Sequence, residues 1–294
     1  MTKSGHIIPG LIRAYVYSQT PHTENGERNM QQLMTYKIIS GKTVEERKAL
    51  MSGSRSKEKK RRGQRVKGGS SLAKIKQNER EAVKNLARVI NCNFGAGDLW
   101  LTLTYSQERL PADLAAAKKD LSRFMRNVRR RFLAEHGRGP RYVISTSQKD
   151  PDTGERVRIH HHIVMERAAY DTICQLWPQE DITYRLMDGR GDYTGIARYI
   201  ISQAEKGPDA KKWSISRGNM AKPIYTEPVP VRAADPMDVP AGAVIREKYS
   251  LADAETGAYT EYVRYTVPGR AAPKKPKDRP PKKKKRKTRQ HKKR

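Results

Sequence analysis

The chain is short of acidic residues, of cysteines and of long apolar runs, and each shortage narrows its function. Its 294 residues contain 31 Asp plus Glu against 61 Lys plus Arg, which gives a formal net charge of +30 at pH 7. So few carboxylates favour a polyanionic partner, and nucleic acid is the first candidate. No apolar stretch has the length of a membrane span and no amphipathic anchor accompanies the basic runs, so we expect no membrane partner.

The scarcity of cysteine and the N-terminal sequence both predict a cytoplasmic protein. Cys92 and Cys174 are the two cysteines, and they have neither CxxC nor zinc-finger spacing. This pattern predicts reduced thiols. Residues 1–6 lack the apolar core that is typical of a secretory signal.

The most informative stretch is residues 157–165, which read VRIHHHIVM. Its alternation is that of a β-strand, which places His160, His162 and Val164 on one face and His161 with the apolar residues on the other. Two imidazoles that lie two residues apart on a strand can converge on one divalent cation. The alternative is a histidine-rich strand in which each ring is satisfied by its own hydrogen bond.

Composition and periodicity divide the chain into four segments. Residues 1–71 form an extension whose fold the sequence does not indicate, and its run 55–67 holds eight basic residues against one acid. Residues 72–222 form the compact core. Residues 223–270 combine a proline-rich connector with a small β appendage, and residues 271–294, with fourteen Lys plus Arg against one Asp, form a disordered tail.

The order of elements in the core predicts an α+β fold. After a helix over 72–90, the patterns alternate between strands and helices. Strands are predicted at 99–105, 142–147, 157–165 and 182–187, and helices at 113–132, 168–177 and 194–206. This order favours an antiparallel sheet with helices on one side, the split βαβ arrangement of ferredoxin-like and RNA-recognition-type domains.

Three short motifs resemble those of a known family. Residues 101–105 read LTLTY, residues 160–162 read HHH and residues 197–201 read ARYII. In this order and spacing they are similar to the three motifs of rolling-circle replication initiators, the HUH endonucleases, and in particular the replication-associated proteins of phages and mobile elements. The likeness covers roughly residues 72–225.

The resemblance implies a metal-dependent, site-specific single-strand DNA endonuclease and strand transferase that initiates rolling-circle replication. By motif position, Tyr199 would be the nucleophile and would stay bonded to the 5′-phosphate. Two alternatives remain open, namely that Tyr199 is an aromatic anchor of its helix and that Tyr193 is the nucleophile. The family's tyrosine helix also carries a positive charge, which Lys206 would supply here.

The same resemblance implies a metal site. His160 and His162 would hold Mg²⁺ or Mn²⁺, which would polarise the phosphate that is cleaved. In the family a third ligand comes from the preceding strand, and the candidate at that place is Gln148.

The expected partner is a single-stranded DNA origin. Arg126 and Arg130, on the basic face of the helix over 113–132, are expected to contact DNA. Lys212, Trp213 and Arg217 are expected to do so too, because Trp can stack on an unpaired base, although Trp213 could equally pack over a sheet edge. Since the sequence contains no GxxxxGK[ST] loop, a host helicase would unwind the DNA and a host polymerase would extend it.

Two other functions are compatible with the sequence. A transposase or relaxase of the HUH type would use the same chemistry on a different DNA junction. A non-catalytic, RRM-like nucleic-acid-binding protein belongs to another class, but it would carry aromatics where the central strand has histidines. The expected location is the cytoplasm of a bacterial host, or the nucleus of a eukaryotic one, since residues 280–287 resemble a nuclear import signal.

Overall fold

The computed structural model describes residues 31–52, 72–150, 153–177, 181–203, 212–252 and 259–269. Within these residues the chain forms two antiparallel sheets and four α-helices, which confirms the predicted α+β class. The basic run 55–67, Lys206 and the tail 271–294 lie outside the described residues. No helix in the described ranges is long and apolar enough to cross a membrane.

The elements follow one another along the chain as strands and helices in mixed order. The strands are β1 (Gln31–Ser40), β2 (Thr43–Ser52), β3 (Leu99–Thr104), β4 (Tyr142–Lys149), β5 (Arg156–Met165), β6 (Asp181–Leu186), β7 (Ser214–Ile215), β8 (Ile224–Tyr225), β9 (Val229–Pro230), β10 (Val244–Ala252) and β11 (Tyr259–Thr266). The helices are α1 (Leu72–Asn93), α2 (Leu114–His136), α3 (Tyr170–Leu176) and α4 (Thr194–Gln203).

The chain divides into two compact units made of interleaved segments. The described part of the first unit is residues 31–52, 72–96, 188–201, 221–252 and 259–269. The described part of the second unit is residues 97–150, 153–177, 181–187, 202–203 and 212–220. The unit boundary therefore falls within helix α4, and the four-segment division expected from composition stays a prediction.

The first unit contains a six-stranded sheet among its described residues. Strands β10, β11, β2 and β1 lie side by side, and the short β8 and β9 both pair with β1. The sequence did not indicate the β1–β2 hairpin, whereas it did suggest the β10–β11 hairpin. Both hairpins belong to one sheet, because β11 pairs with β2 along residues 260–266.

The turn between β1 and β2 requires a glycine. Gly41 has a positive φ of 60°, and a Cβ atom there would lie 2.1 Å from the carbonyl oxygen of Asn91 at the end of α1. No L side chain fits a gap of that size. The glycine therefore allows the hairpin turn to approach the helix closely.

The second unit contains a five-stranded sheet in the order β6, β3, β5, β4, β7. One face of this sheet packs against α2 and α3 and forms the largest apolar core of the described residues. Its members include Leu101, Ile163, Phe124, Val128 and Ile173. Helices on one face of an antiparallel sheet are the arrangement that the order of elements predicted.

Helix α2 differs at both ends from its prediction. We expected a helix over 113–132 with Pro111 in its first turn, but Asp113 is the N-cap and its carboxylate accepts a hydrogen bond from the Ala116 N–H at 2.7 Å. The helix continues to His136, where Gly137 ends it in a left-handed conformation. The buried residues of this helix still recur at helical spacing, as the sequence indicated.

An ion-pair cluster holds the end of β5 to the loop before β4. The buried Glu166 carboxylate accepts hydrogen bonds from the Arg138 guanidinium at 2.7 and 2.8 Å and from the Arg141 N–H at 2.7 Å. Burial acts to raise the pKa of Glu166, but these hydrogen bonds and the charges of both arginines lower it. The ionised carboxylate thus stabilises the fold at neutral pH.

Replacement of Glu166 by Gln should lower the free energy of unfolding at pH 7 by about 2–3 kcal/mol, because two arginines would then face a neutral amide. Urea unfolding followed by circular dichroism measures this change. The matched control is Glu135→Gln, since Glu135 pairs with Arg131 on the exposed side of α2, where such a pair is worth about 0.3–0.5 kcal/mol.

The same pair of proteins tests the linkage to pH. Because the folded-state pKa of Glu166 lies below its ordinary value of 4.5, its contribution is complete above that pH and is lost as the pH falls through the folded-state pKa. The stability difference between the wild type and Glu166→Gln should therefore shrink in acid. A difference that is constant down to strong acid would contradict the role assigned to this carboxylate.

Candidate functional site

Strand β5 lies in the middle of the five-stranded sheet and carries the three histidines. In its pairing with β4, His160 lies opposite Ser147 and His162 lies opposite Ser145. Directly opposed residues of an antiparallel pair share a face. His160 and His162 therefore occupy one face, while His161 lies on the face that α2 and α3 cover, as the alternation of the sequence predicted.

His161 belongs to the core of the second unit. Its side chain is fully buried, with Nε2 at 2.7 Å from the Tyr105 hydroxyl and Nδ1 at 2.9 Å from the Thr146 hydroxyl. The Trp177 ring packs edge-on against it. Burial, together with the neighbouring histidines, lowers the pKa of His161 to about 3, so the ring is neutral. Both ring nitrogens are thus engaged inside the core.

His160 and His162 point their Nε2 atoms at one oxygen. Each Nε2 lies 3.1 Å from Oε1 of Gln203, the last residue of α4. The Nδ1 of His160 lies 2.8 Å from the Arg158 carbonyl oxygen, and the Nδ1 of His162 lies 3.1 Å from the Thr102 hydroxyl. Gln203 itself is buried, and its carbonyl oxygen accepts a hydrogen bond from the Ser147 hydroxyl.

The contacts of His160 require either a cation or an amide donor beside the ring. A neutral imidazole carries one N–H. If Nδ1 donates that hydrogen to the Arg158 carbonyl, Nε2 presents a lone pair to the Gln203 oxygen; if Nε2 is protonated, two acceptors meet at Arg158. A cation between the three atoms removes the conflict. A reversed Gln203 amide, whose N–H groups donate to both rings, removes it in the metal-free chain.

The spacing of these atoms fits a divalent metal ion. Separations of 3.1 Å from Oε1 to each Nε2 match the edge of an octahedron whose metal–ligand bonds are about 2.2 Å long. The Nδ1 contacts resemble the outer hydrogen bonds that orient metal-bound histidines. Two buried polar atoms here, Gln203 Nε2 and Ser145 Oγ, have no hydrogen-bond partner among the described residues. His160, His162 and Gln203 could thus hold Mn²⁺ or Mg²⁺.

The surroundings of His162 keep its ring neutral and fixed in orientation. The Trp100 ring stacks on it with centroids 5.1 Å apart and planes 9° from parallel. Burial, followed by the charge of His160, lowers the pKa of His162 to about 4. At neutral pH its Nε2 lone pair is therefore available to a metal ion.

The candidate third ligand from the sequence, Gln148, lies elsewhere on the sheet. It follows Ser147 in β4, at a β-bulge between the pairs Ser147 with His160 and Lys149 with Arg156. Gln203 is the residue whose side-chain oxygen lies within hydrogen-bond distance of both histidines. The described residues contain no cluster of three or more His, Cys, Asp or Glu that could hold a metal, which agrees with an amide as the third ligand.

The two tyrosines considered as nucleophiles differ in exposure. Tyr193 is buried, and its hydroxyl donates a hydrogen bond to the Asp188 carbonyl. Tyr199 lies on α4 with 37% of its surface exposed. Tyr199 precedes Gln203 by four residues, so the two side chains share a face of the helix. Of the two, Tyr199 presents its ring to solvent and Tyr193 has a structural role.

The basic residues expected to contact DNA fall at two different places in the second unit. Arg126 and Arg130 are exposed on α2, which packs on the sheet face opposite His160 and His162. They therefore lie across the sheet from the histidine pair.

The other three lie at the edge of the same sheet. Lys212 and Trp213 are half-buried just before the edge strand β7, and Arg217 is exposed just after it. Strand β7 is separated from the histidine strand by β4 alone, which corresponds to about 10 Å. Of the five residues, these three lie closer in the sheet order to the histidine strand.

Comparison with known proteins gives one match. Residues 98–208 match a family model that describes replication-associated proteins of the ORF2 type. No curated protein and no solved structure matches the chain significantly. The matched region includes the histidine strand β5 and the whole of helix α4, and the match supports a role for this chain as a replication initiator.

Proposed function

We propose that the chain is a metal-dependent, site-specific single-strand DNA nickase and strand transferase of the HUH type, which initiates rolling-circle replication. The observation that carries this proposal is the convergence of His160 and His162 on the oxygen of Gln203, one helical turn after Tyr199. The family match to replication-associated proteins supports the same reaction class. A bound Mg²⁺ or Mn²⁺ would polarise the phosphate and stabilise its developing charge.

The chain's own residues divide the remaining work among them. His160, His162 and Gln203 hold the ion, and Trp100 with Thr102 keeps His162 in its orientation. The Tyr199 oxygen attacks the phosphorus, a new P–O bond forms, and the bond to the 3′ oxygen breaks. The phenolic proton goes to solvent and the 3′ oxygen takes up a proton. The phosphotyrosine conserves the bond for later rejoining, and the free 3′-hydroxyl can prime a host polymerase.

Related DNA transactions would use the same residues. A transposase or relaxase differs from a replication initiator in the DNA junction that it recognises rather than in the attack by tyrosine. The family match favours replication among the three. Sequencing of the DNA ends that stay joined to the protein would distinguish an origin from a transposon end or a transfer origin.

The first prediction for this site concerns the nucleophile. Tyr199→Phe should keep the fold but abolish cleavage, because it removes the attacking oxygen and keeps the ring. Incubation with single-stranded origin DNA and Mn²⁺, denaturing electrophoresis and peptide mapping would locate the adduct on Tyr199 at a 5′ end. The matched control is Tyr193→Phe, which should still form the adduct. An adduct on Tyr193, or cleavage by hydrolysis without an adduct, would overturn the mechanism.

A second prediction separates the three histidines. His160→Ala and His162→Ala should each abolish Mn²⁺ binding, measured by calorimetry, together with cleavage. His161→Ala should retain a detectable metal affinity but lower the free energy of unfolding by about 2–4 kcal/mol, because it empties a buried site and strands the Tyr105 and Thr146 hydroxyls. Equal loss of metal binding at all three positions would contradict this division.

A third prediction identifies the third ligand. Gln203→Leu should weaken Mn²⁺ binding by roughly tenfold or more, since it removes the oxygen that faces both rings. Gln148→Leu is the matched control and should bind Mn²⁺ as the wild type does. A strong effect of Gln148→Leu with none of Gln203→Leu would assign the ligand to β4 instead.

A further inference from the structure

The first unit contains a cavity of about 600 Å³ between helix α1 and the six-stranded sheet. This volume lies within the range of small-molecule sites. Its lining is rich in tyrosine and arginine, and it includes Tyr36, Arg47, Arg80, Tyr225, Tyr249 and Tyr262. All of these residues belong to the first unit, so the cavity is independent of the histidine site.

Four of the lining residues form a continuous row across the sheet. Tyr249 lies opposite Tyr262, Tyr262 lies opposite Arg47, and Arg47 lies opposite Tyr36. Directly opposed side chains share a face, with neighbouring strands about 4.8 Å apart. The sheet thus presents three aromatic rings and one guanidinium in line at one wall of the cavity.

The tyrosine rings differ in how far they are covered. Tyr249 and Tyr262 stack on each other with centroids 4.9 Å apart, and Lys84 of α1 lies 4.1 Å above the Tyr262 ring. Tyr225, at β8 beside Tyr36, is 58% exposed. A planar ligand can therefore stack on Tyr225 without displacing the packed pair.

The charges of the cavity fall into paired and unpaired groups. The Glu45 carboxylate accepts hydrogen bonds from Arg88 at 2.6 and 2.7 Å and from the Tyr262 hydroxyl at 3.0 Å, so it is neutralised within the wall. Arg47 and Arg80 are exposed, and neither has a hydrogen bond or ion pair with another described residue. Two guanidinium groups are thus free to bind a phosphate.

Two further carboxylates limit the kind of anion that fits. Glu81 and Glu227 also line the cavity. They oppose a ligand with many phosphates, but a carboxylate accepts hydrogen bonds from the amino group of a base. An aromatic ring for stacking, an arginine for one phosphate and a carboxylate for a base edge are together the contacts that a single nucleotide makes.

We propose that this cavity binds an unpaired nucleotide, with its base stacked on Tyr225 and its phosphate at Arg47. The nucleotide can be part of a DNA strand or a free mononucleotide, since both present the same base and phosphate. Binding here needs no metal and no cleavage. It therefore stands even where the nuclease proposal fails.

Photocrosslinking of the full chain tests the proposal. The probe is a short single-stranded deoxyoligonucleotide with 5-iodouracil, used in EDTA so that the metal site plays no part, and at raised salt so that contacts of the basic segments are weakened. Peptide mapping should find the crosslink at Tyr225 or Tyr36. Crosslinks confined to residues 97–187 or to the tail 271–294 would overturn the proposal.

Affinity measurements on variants supply the controls. Tyr225→Ala should weaken binding of the probe roughly fivefold to a hundredfold, the cost of one lost stacking contact, whereas Tyr225→Phe should bind as the wild type does. Arg47→Gln should reduce the dependence of log K on log salt by about 0.7. The matched control is Tyr184→Ala, a tyrosine of the second unit that is 49% exposed, and equal weakening there would refute the assignment.

Competition distinguishes the two sources of the nucleotide. If a deoxynucleoside monophosphate removes the crosslink, the cavity takes a free nucleotide. If only an oligonucleotide removes it, the cavity takes part of a strand. If neither removes it, the crosslink does not report a nucleotide site and the proposal is wrong.

Discussion

The register of β5 between its two neighbours is the constraint on which the candidate nuclease site depends. Ile159, His161, Ile163 and Met165 face the core packed against α2 and α3, and this fixes which histidines face the other way. A slip of one residue would exchange the two faces. It would place His160 and His162 in the core and leave His161 alone on the opposite face, so metal binding and folding are satisfied by the same register.

The core strands and helices were predictable because their signals are local. Strand β5 has period-two alternation, α2 has an apolar stripe at helical spacing, and the bounds of both lie within a few residues of expectation. The β1–β2 hairpin was not predictable. Its strands mix polar and apolar residues, and they are completed by β8, β9 and β11, which lie far along the chain. Pairing at such separations leaves no periodic signal in the strands themselves.

The histidine pair follows from alternation, but the third ligand does not. The sequence places Gln203 on the same helix face as Tyr199, since four residues make about one turn. It does not reveal that this face brings Gln203 to β5, which is a tertiary contact. The same limitation applies to Arg126 and Arg130. Their exposure was readable from the helical pattern, but the side of the sheet on which α2 packs was not.

The absence of carboxylates in the candidate ligand set has a consequence for the proposed chemistry. His160, His162 and Gln203 are all neutral ligands when both rings are deprotonated, so a divalent ion held by them would keep its full charge toward a phosphate. The same neutrality lowers the affinity of the site for Mg²⁺ or Mn²⁺, because affinity rises with the number of charged ligands. DNA would then supply the missing negative charge. By linkage, metal and DNA would each increase the affinity for the other, which would tie the ion's residence to the presence of its substrate.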